Sequence, residues 1–221
     1  MYSSDHGAAS KPVEFSSPAT LVALSDADPR REEILAVART LFAQKGYKAA
    51  TMAEIAAGAN LAVGTVYKFF KDKQTLYQTL VVMTMCEFEK GSIDALRDTP
   101  GDAIDKIRRY ILVGSEIFAR NIDLIRVYYS ETGAAFLFAA AGLQDEAFDI
   151  YRRIVDALTE TFRQGVEKGL FIDLLPEELA LGLEGVHNAF LNTLVHDANR
   201  YTPAQITERA TRIYFETVLR Q

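Results

Sequence analysis

The chain has 221 residues, a formal net charge of −6 and 49% apolar residues, enough to bury a sizeable core in one large or two small domains. Its one cysteine, Cys86, excludes an internal disulfide framework and a cysteine-built metal site, so a reduced, cytoplasmic setting is expected. No stretch reaches the ~18 uninterrupted apolar residues of a membrane span. The N-terminus lacks a charged start followed by an apolar run, so we expect no secretory signal.

Residues 1–28 hold Ser, Ala, Pro and Gly without a sustained period, which predicts a flexible N-terminal arm. The first helix should begin at Asp28 and Pro29, since aspartate caps free N–H groups and proline suits the first helical position. Gly46 is a plausible left-handed stop for this helix. One face of the helix carries apolar residues at helical spacing, namely Ile34, Leu35, Ala38, Leu41 and Phe42.

Two short helices are predicted next, joined by a tight turn. The first opens on a capping box formed by Thr51 and Glu54 and runs to about Gly58. Asn60 falls where the turn needs a left-handed residue, which asparagine tolerates better than most residues. The second of these short helices, which is the third helix of the chain, covers residues 63–70. Asp72 then caps a long fourth helix that reaches about residue 95.

The charge of the chain is unevenly distributed. Residues 29–76 contain eight basic and four acidic residues, a net charge of +4, which leaves −10 for the remainder. A basic patch attracts phosphate locally whatever the rest of the chain carries. The N-terminal third is therefore the segment expected to meet nucleic acid.

The pattern remains helical to the end of the chain, with Gly and Pro between segments. Helices are predicted over about 102–119, 122–130, 144–168, 176–198 and 203–220. The apolar stretch 134–141 fits either a loop that lines a cavity or a short buried helix. The sequence thus predicts an all-α protein of about nine helices.

The two short helices have the form of a helix-turn-helix, in which one helix braces the other across the DNA backbone. The N-terminal N–H groups of the third helix of the chain, residues 63–70, can face phosphate. Tyr67 and Lys68 of the same helix can donate to phosphate oxygens. Residues 51–56, 63–70 and 71–77 resemble the DNA-binding domain of the tetracycline-repressor (TetR) family, without gaps over about residues 30–77.

This resemblance implies a helix-turn-helix domain over residues 29–75 and a helical ligand-binding and dimerisation domain over 76–221. It implies a homodimer on a palindromic double-stranded DNA operator, released when a small apolar or aromatic effector binds. The residues it places toward DNA lie at the start of the second helix, along the third and at the start of the fourth: Thr51, Ala62, Val63, Gly64, Thr65, Tyr67, Lys68, Phe69 and Lys73.

Three residues depart from the family pattern. Asn60 replaces the usual turn glycine, Ala62 replaces a serine or threonine that would cap the third helix, and Phe69 cannot donate the hydrogen bond of a tyrosine or histidine. The last two changes keep an alternative open. In that alternative the chain is a helical ligand-binding protein with weakened or lost DNA binding.

A dimer interface is required because an operator needs two reading heads ~34 Å apart, and one subunit supplies only one. The last two helices are the candidates, with Gly182, Gly185 and Ala189 allowing close approach. Their apolar stripes could instead pack on the subunit's own core. The predicted interface residues are Leu179, Leu183, Val186, Phe190, Leu194, Ile206, Ala210, Ile213 and Tyr214.

The resemblance also places an effector pocket among the middle helices, typically apolar with a few orienting polar groups. Core packing is the competing explanation for each of these residues. The candidates are Tyr110, Phe118, Arg126, Tyr129, Phe136, Phe148, Glu184, His187 and Asn188.

An enzyme is the other competing class. His6, His187 and His196 show no metal-ligand spacing, and the chain carries no nucleophile elbow and no phosphate-cradling glycine loop. We therefore expect no catalytic residues, metal or cofactor. Ligand would act by moving the fourth helix, which links pocket to DNA head, although the opposite polarity, with ligand promoting DNA binding, is also open.

Overall fold

The computed structural model describes residues 28–132 and 144–219, and the side chains of 28–127 and 148–219. The predicted N-terminal arm and the apolar stretch 134–141 lie outside the described residues. Within that part the regular secondary structure is all helical, apart from an isolated bridge between Phe171 and Leu219. The helices are α1 Pro29–Ala49, α2 Met52–Gly58, α3 Val63–Phe69, α4 Lys73–Asp98, α5 Ala103–Arg120, α6 Ile122–Thr132, α7 Gln144–Glu167, α8 Pro176–His196 and α9 Pro203–Val218.

The predicted helix starts in the N-terminal third are confirmed by their caps. The Asp28 carboxylate accepts from Arg30 N, and the Asp72 carboxylate accepts from Thr75 N at 2.7 Å. Thr51 and Glu54 form the predicted capping box. Each cap satisfies N–H groups that a helix start leaves without an intrahelical partner, and so fixes where the helix begins.

The N-terminal unit formed by α1, α2, α3 and the start of α4 is called the head, and the remaining helices are called the body. Two backbone conformations shape the head. Gly46 interrupts α1 with φ 78° and ψ 164°, so the last turn of that helix is offset from the rest. Asn60 adopts φ 53°, the only positive φ of a non-glycine residue within residues 28–132 and 144–219. Asparagine thus performs the turn between α2 and α3 that glycine usually performs.

The side chains form two hydrophobic cores. The head core joins α1, α2, α3 and the start of α4 around Phe42, Ile55 and Phe70, and α6 adds Leu124 and Val127. The body core joins α5, α7, α8 and α9, with Ile111, Phe162 and Leu183 at its centre. Met85 and Cys86 of α4 pack against both cores, which makes α4 the element shared by head and body.

A polar contact also joins head to body. Arg39 of α1 donates to Asn121 Oδ1 at 2.6 Å, and Asn121 Nδ2 donates to Glu87 of α4 at 3.2 Å. Asn121 is buried at the junction of α5 and α6. Arg120 pairs with the same Glu87 carboxylate at 2.5 Å. The head is therefore held to both α4 and the α5–α6 junction by side chains as well as by apolar packing.

Among the described helices, none is both long enough and apolar enough to cross a bilayer.

Candidate nucleic-acid interface and effector pocket

The third helix presents one face to the surface and buries the other. Val66 and Phe70 are in the head core, as predicted. Val63 and Tyr67 are 41% and 50% exposed, large values for apolar or aromatic side chains in a folded domain. Ala62, Gly64 and Lys68 lie exposed with them. This outer face carries small side chains at its N-terminal end and the Tyr67 phenol and Lys68 ammonium one turn later.

The start of α3 has no side-chain cap, because Ala62 stands at the N-cap position. Its first N–H groups therefore point outward at the positive end of the helix dipole. Thr65 is half-buried, and its hydroxyl has no hydrogen bond within the described part of the chain. Backbone and hydroxyl donors are thus available where the helix meets solvent.

The hydroxyl of Thr51 is already engaged. It accepts from Glu54 N at 3.2 Å and donates to Glu54 Oε2 at 3.0 Å. Lys45 Nζ lies 2.6 Å from the other carboxylate oxygen, and these contacts lower the pKa of Glu54, the hydrogen bond from Lys45 contributing most. A phosphate contact by the Thr51 hydroxyl would first have to replace its bond to Glu54.

Lys73 has a different role from the one expected. Its ammonium donates to the carbonyl oxygens of Tyr47, Lys48 and Ala50, at 2.7, 3.1 and 2.8 Å, and lies 4.6 Å from the centre of the Tyr47 ring. An ammonium has three donor hydrogens, so none remains for a phosphate. The offset at Gly46 turns these carbonyls toward α4. The prediction of a phosphate contact was wrong because the sequence does not show that turn.

Phe69 is also placed differently. It is half-buried against the head core, and the Arg30 guanidinium lies 5.5 Å from its ring centre. The ring therefore packs inside the head rather than facing a DNA backbone. Sequence reasoning missed Lys71, which is exposed beside α3 and has no hydrogen bond or ion pair within the described residues. Its position between two predicted helices was the available signal.

A cavity of about 60 Å³ lies in the body between α4, α5, α7 and α8. Four of the predicted pocket residues line it, namely Tyr110, Glu184, His187 and Asn188. Its other walls are mostly apolar, and α4 supplies Met85, Phe88 and Ser92. The cavity therefore meets the helix that is shared with the DNA-binding head.

Among the described residues that line the cavity, Glu184 is the charged one. Its side chain is buried, and Oε1 accepts from the Tyr110 hydroxyl at 2.5 Å. Burial raises the pKa of Glu184 to about 6, and the hydrogen bond from Tyr110 only partly opposes this shift. The same burial, with the carboxylate nearby, raises the pKa of the Tyr110 phenol.

His187 lies one turn further along α8. Its Nε2 is 3.0 Å from the Ser115 hydroxyl, and its ring meets the Tyr110 ring edge-on at 6.0 Å. Burial lowers the pKa of His187 to about 4, so the imidazole is neutral at neutral pH. A Cβ added at Gly114 would lie 2.9 Å from His187 Cε1, so the glycine makes room for this ring.

Three predicted pocket residues do not reach the cavity. Phe118 is buried in the body core, and Phe148 is 52% exposed beside Arg152. Arg126 donates to the carbonyls of Val195 and Leu194, at 2.8 and 3.2 Å, and so caps the C-terminal end of α8. The sequence does not place these three residues at the cavity, because a pattern of polar among apolar residues does not reveal which neighbouring helix a side chain meets. The side chains of Tyr129 and Phe136 lie outside the described residues.

The predicted dimer stripe lies mostly inside the subunit. It followed the most apolar positions of α8 and α9, which are the positions that meet the subunit's own core. Val186 and Phe190 pack half-buried against that core, and Ile213 alone of the predicted set is exposed, at 47%. The residues that are buried and therefore cannot face a partner are Leu179, Leu183, Leu194, Ile206, Ala210 and Tyr214.

Comparisons with known proteins agree with this arrangement. Residues 34–80 match the family described as "Bacterial regulatory proteins, tetR family". The chain is 27% identical over 182 residues to the nucleoid occlusion factor SlmA of Photobacterium profundum, over 80% of this chain and 89% of that protein. It is 26% identical over 156 residues to the HTH-type transcriptional repressor KstR2 of Mycolicibacterium smegmatis, over 69% of this chain and 66% of that protein.

Among solved structures, a transcriptional regulator of the TetR/AcrR family from Thermobifida fusca has the same fold, with a TM-score of 0.71 at 20% identity. The match covers 86% of this chain and 98% of that one. The head, its exposed recognition helix and these likenesses define a helix-turn-helix regulator of transcription. Residues 34–80 therefore carry a DNA-binding domain of the TetR family of bacterial regulatory proteins, and the relatives that match most of the chain include the HTH-type transcriptional regulator AcrR of Shigella flexneri.

Proposed function

We propose that the protein is a homodimeric repressor that leaves a palindromic operator when a small effector enters the body cavity. The observation that carries this proposal is the position of α4. One end of α4 lies in the head core beneath the recognition helix, and its middle forms a wall of the cavity. A molecule in the cavity therefore touches the element that orients the reading head.

DNA binding is supported by the outer face of α3. Tyr67, Lys68 and Lys71 are exposed, and the two lysines have no ion pair within the described residues. They and the uncapped N–H groups of Val63 and Gly64 would meet phosphates and base edges in a major groove. We keep Thr65 as a further donor. Thr51 would contribute after its hydroxyl leaves Glu54.

Dimerisation is supported by the outward face of α8 and α9. Leu181 is 54% exposed, and Gly182, Gly185 and Ala189 lie exposed along the same helix. A Cβ added at Gly185 would meet nothing within 4 Å, so this position opens onto free space. Small residues beside exposed Leu181 and Ile213 let a second pair of helices approach closely.

Release would follow from the size of the cavity. Ligand pockets usually measure ~300 Å³ or more, whereas this cavity measures about 60 Å³. A bound effector must therefore widen the cavity. A movement of α4 would widen it and would also change the orientation of the head. A coupling free energy of ~1–3 kcal/mol between the two sites is typical of such proteins. The mycobacterial relative KstR2 is a transcriptional repressor, which supports this polarity.

Electrophoretic shifts on the DNA upstream of the protein's own coding region test DNA binding. The affinity should fall steeply with salt, because each phosphate contact releases counterions. Lys68→Ala should lower the slope of log K against log salt by about one, and Lys168→Ala, an exposed lysine in the body, should leave it unchanged. Salt-independent or absent binding would favour the ligand-carrier alternative.

Sedimentation velocity tests the dimer face. Gly185→Arg should convert the dimer to monomers, because a long charged side chain would stand between the two subunits. The monomer itself has room for it and should remain helical. Gln164→Arg on the exposed face of α7 should remain dimeric. A Gly185→Arg protein that stays dimeric contradicts this assignment.

A further inference from the structure

Glu184 is a buried carboxylate with no paired cation among the described residues. Its Oε1 accepts a hydrogen bond from the Tyr110 hydroxyl. Buried carboxylates are normally paired with Lys, Arg or a metal, since removing an ionised group from water is costly. Here the side chain lines a cavity instead.

No neighbouring group on the described helices supplies the missing charge. Tyr110 of α5 and Tyr151 of α7 are phenols whose pKa values are raised by burial and by this carboxylate. His187 on α8 is neutral, because burial lowers its pKa to about 4. From α4 the polar contribution is Ser92, which is uncharged. The carboxylate is thus the one charge among the described groups around the cavity.

The remaining walls suit an apolar body with a positive end. Phe88 and Tyr151 present aromatic surfaces, which attract cations as well as apolar groups. Ile150, Ile154 and Leu191 complete an apolar lining. An uncharged apolar molecule would fill this volume but would leave Glu184 desolvated and unpaired.

Building on the proposed regulator function, we propose that the effector is an organic cation. Its ammonium group pairs with Glu184, and its apolar or aromatic body lies against the walls formed by α4 and α7. A neutral molecule that donates a hydroxyl hydrogen to the same carboxylate is the competing ligand class. The two classes differ in their dependence on the charge of Glu184.

Three probes of nearly equal size separate these classes: 2-phenylethylamine, which is protonated at neutral pH, 2-phenylethanol and phenylacetate. Isothermal titration calorimetry on the DNA-free dimer should give an affinity for the ammonium at least about tenfold higher than for the alcohol, and the weakest binding for phenylacetate. Equal affinity for the alcohol, or no binding of the ammonium at about 10 mM, overturns the proposal.

Glu184→Gln removes the charge and keeps the acceptor for Tyr110. It should reduce the affinity for 2-phenylethylamine at least about tenfold and change that for 2-phenylethanol by less than about twofold. Glu167→Gln, which removes an exposed carboxylate from the end of α7, should preserve the preference for the ammonium. A preference that survives Glu184→Gln overturns the proposal, and thermal unfolding checks that the variant is folded.

The pH dependence gives an independent readout. With a pKa of about 6, Glu184 loses most of its charge between about pH 7.5 and pH 5, while the probe amine stays protonated and His187 stays neutral. The affinity for 2-phenylethylamine should therefore fall about tenfold over this range. An unchanged affinity contradicts pairing with Glu184. Because these titrations contain no DNA, their failure is distinct from a failure of operator binding.

Discussion

Two glutamates, one in the head and one in the body, occupy opposite environments. Glu54 is half-buried, its carboxylate accepts hydrogen bonds from Lys45 and Thr51, and these lower its pKa. Glu184 is buried, has one phenol as its partner, and has a pKa raised to about 6. The head uses its carboxylate to fix a helix start, whereas the body keeps one unpaired at a cavity. A buried carboxylate without a cation among the described residues is a candidate functional site, and we therefore propose that a ligand supplies the missing charge.

The comparison extends to the lysines of the head. Lys73 gives all its hydrogens to backbone carbonyls, whereas Lys68 and Lys71 give none within the described residues. Neighbouring residues of one type therefore divide into a structural cation and outward-facing ones. Substitutions of these residues should therefore separate effects on stability from effects on function.

Lys73→Met should have the largest effect on stability. It leaves three carbonyl oxygens without their charged donor, at a cost of about 3 kcal/mol in the free energy of unfolding. Urea unfolding measures this loss, and Lys71→Met two residues earlier should cost less than about 0.5 kcal/mol. Where the protein is folded, Lys73→Met should leave the salt slope of DNA binding intact. A slope reduced by about one, with unchanged stability, would restore the phosphate contact.

Glu184→Gln should increase the free energy of unfolding at neutral pH, whereas Lys73→Met should decrease it. The folded-state pKa of about 6 lies above the unfolded value of 4.5, so folding favours the protonated acid. That contribution is full below pH 4.5 and is lost as the pH rises through 6. At neutral pH the variant should therefore be more stable than the natural protein by about 2 kcal/mol, and near pH 4 the two should be equal. Urea unfolding across this range checks the sign, and a variant destabilised at neutral pH would contradict it.

Asn121→Ala should have the smallest effect. It should reduce the coupling free energy between effector binding and DNA binding by about 1 kcal/mol and leave each binding site intact. The amide joins Arg39 of the head to Glu87 of α4, next to Phe88 of the cavity. We expect the ratio of DNA affinities without and with 2-phenylethylamine to shrink about fivefold. Fluorescence anisotropy of labelled DNA measures the ratio, with the exposed Asn199→Ala as control. An unchanged ratio would remove Asn121 from the coupling.

The head was predictable from the sequence because its signals are local. Capping residues such as Asp28 and Thr51, and the turn residue Asn60, act within three or four positions of themselves. The buried pair Val66 and Phe70 follows from helical spacing alone. The role of Lys73 was not predictable, because its partners lie more than twenty positions away beyond the offset at Gly46.

The body was predictable in its helices and less so in its faces. The ends of α5, α7 and α9 fall within about two residues of the sequence-based expectation. The site residues did not follow, since an apolar stripe does not say whether it meets its own core or a partner. Tyr214 shows this, with its hydroxyl bonded to the carbonyl of Leu179 in the same subunit. Glu184 and His187 were found because polar residues in apolar helices are unusual.

The most direct test of the account joins its two halves in one titration. The affinity of the dimer for its upstream DNA would be measured by fluorescence anisotropy with and without saturating 2-phenylethylamine, for the natural protein and for Glu184→Gln. The account predicts that the ammonium weakens DNA binding of the natural protein about tenfold and leaves the variant unaffected. DNA affinity that is unchanged or strengthened by the bound ammonium would contradict it.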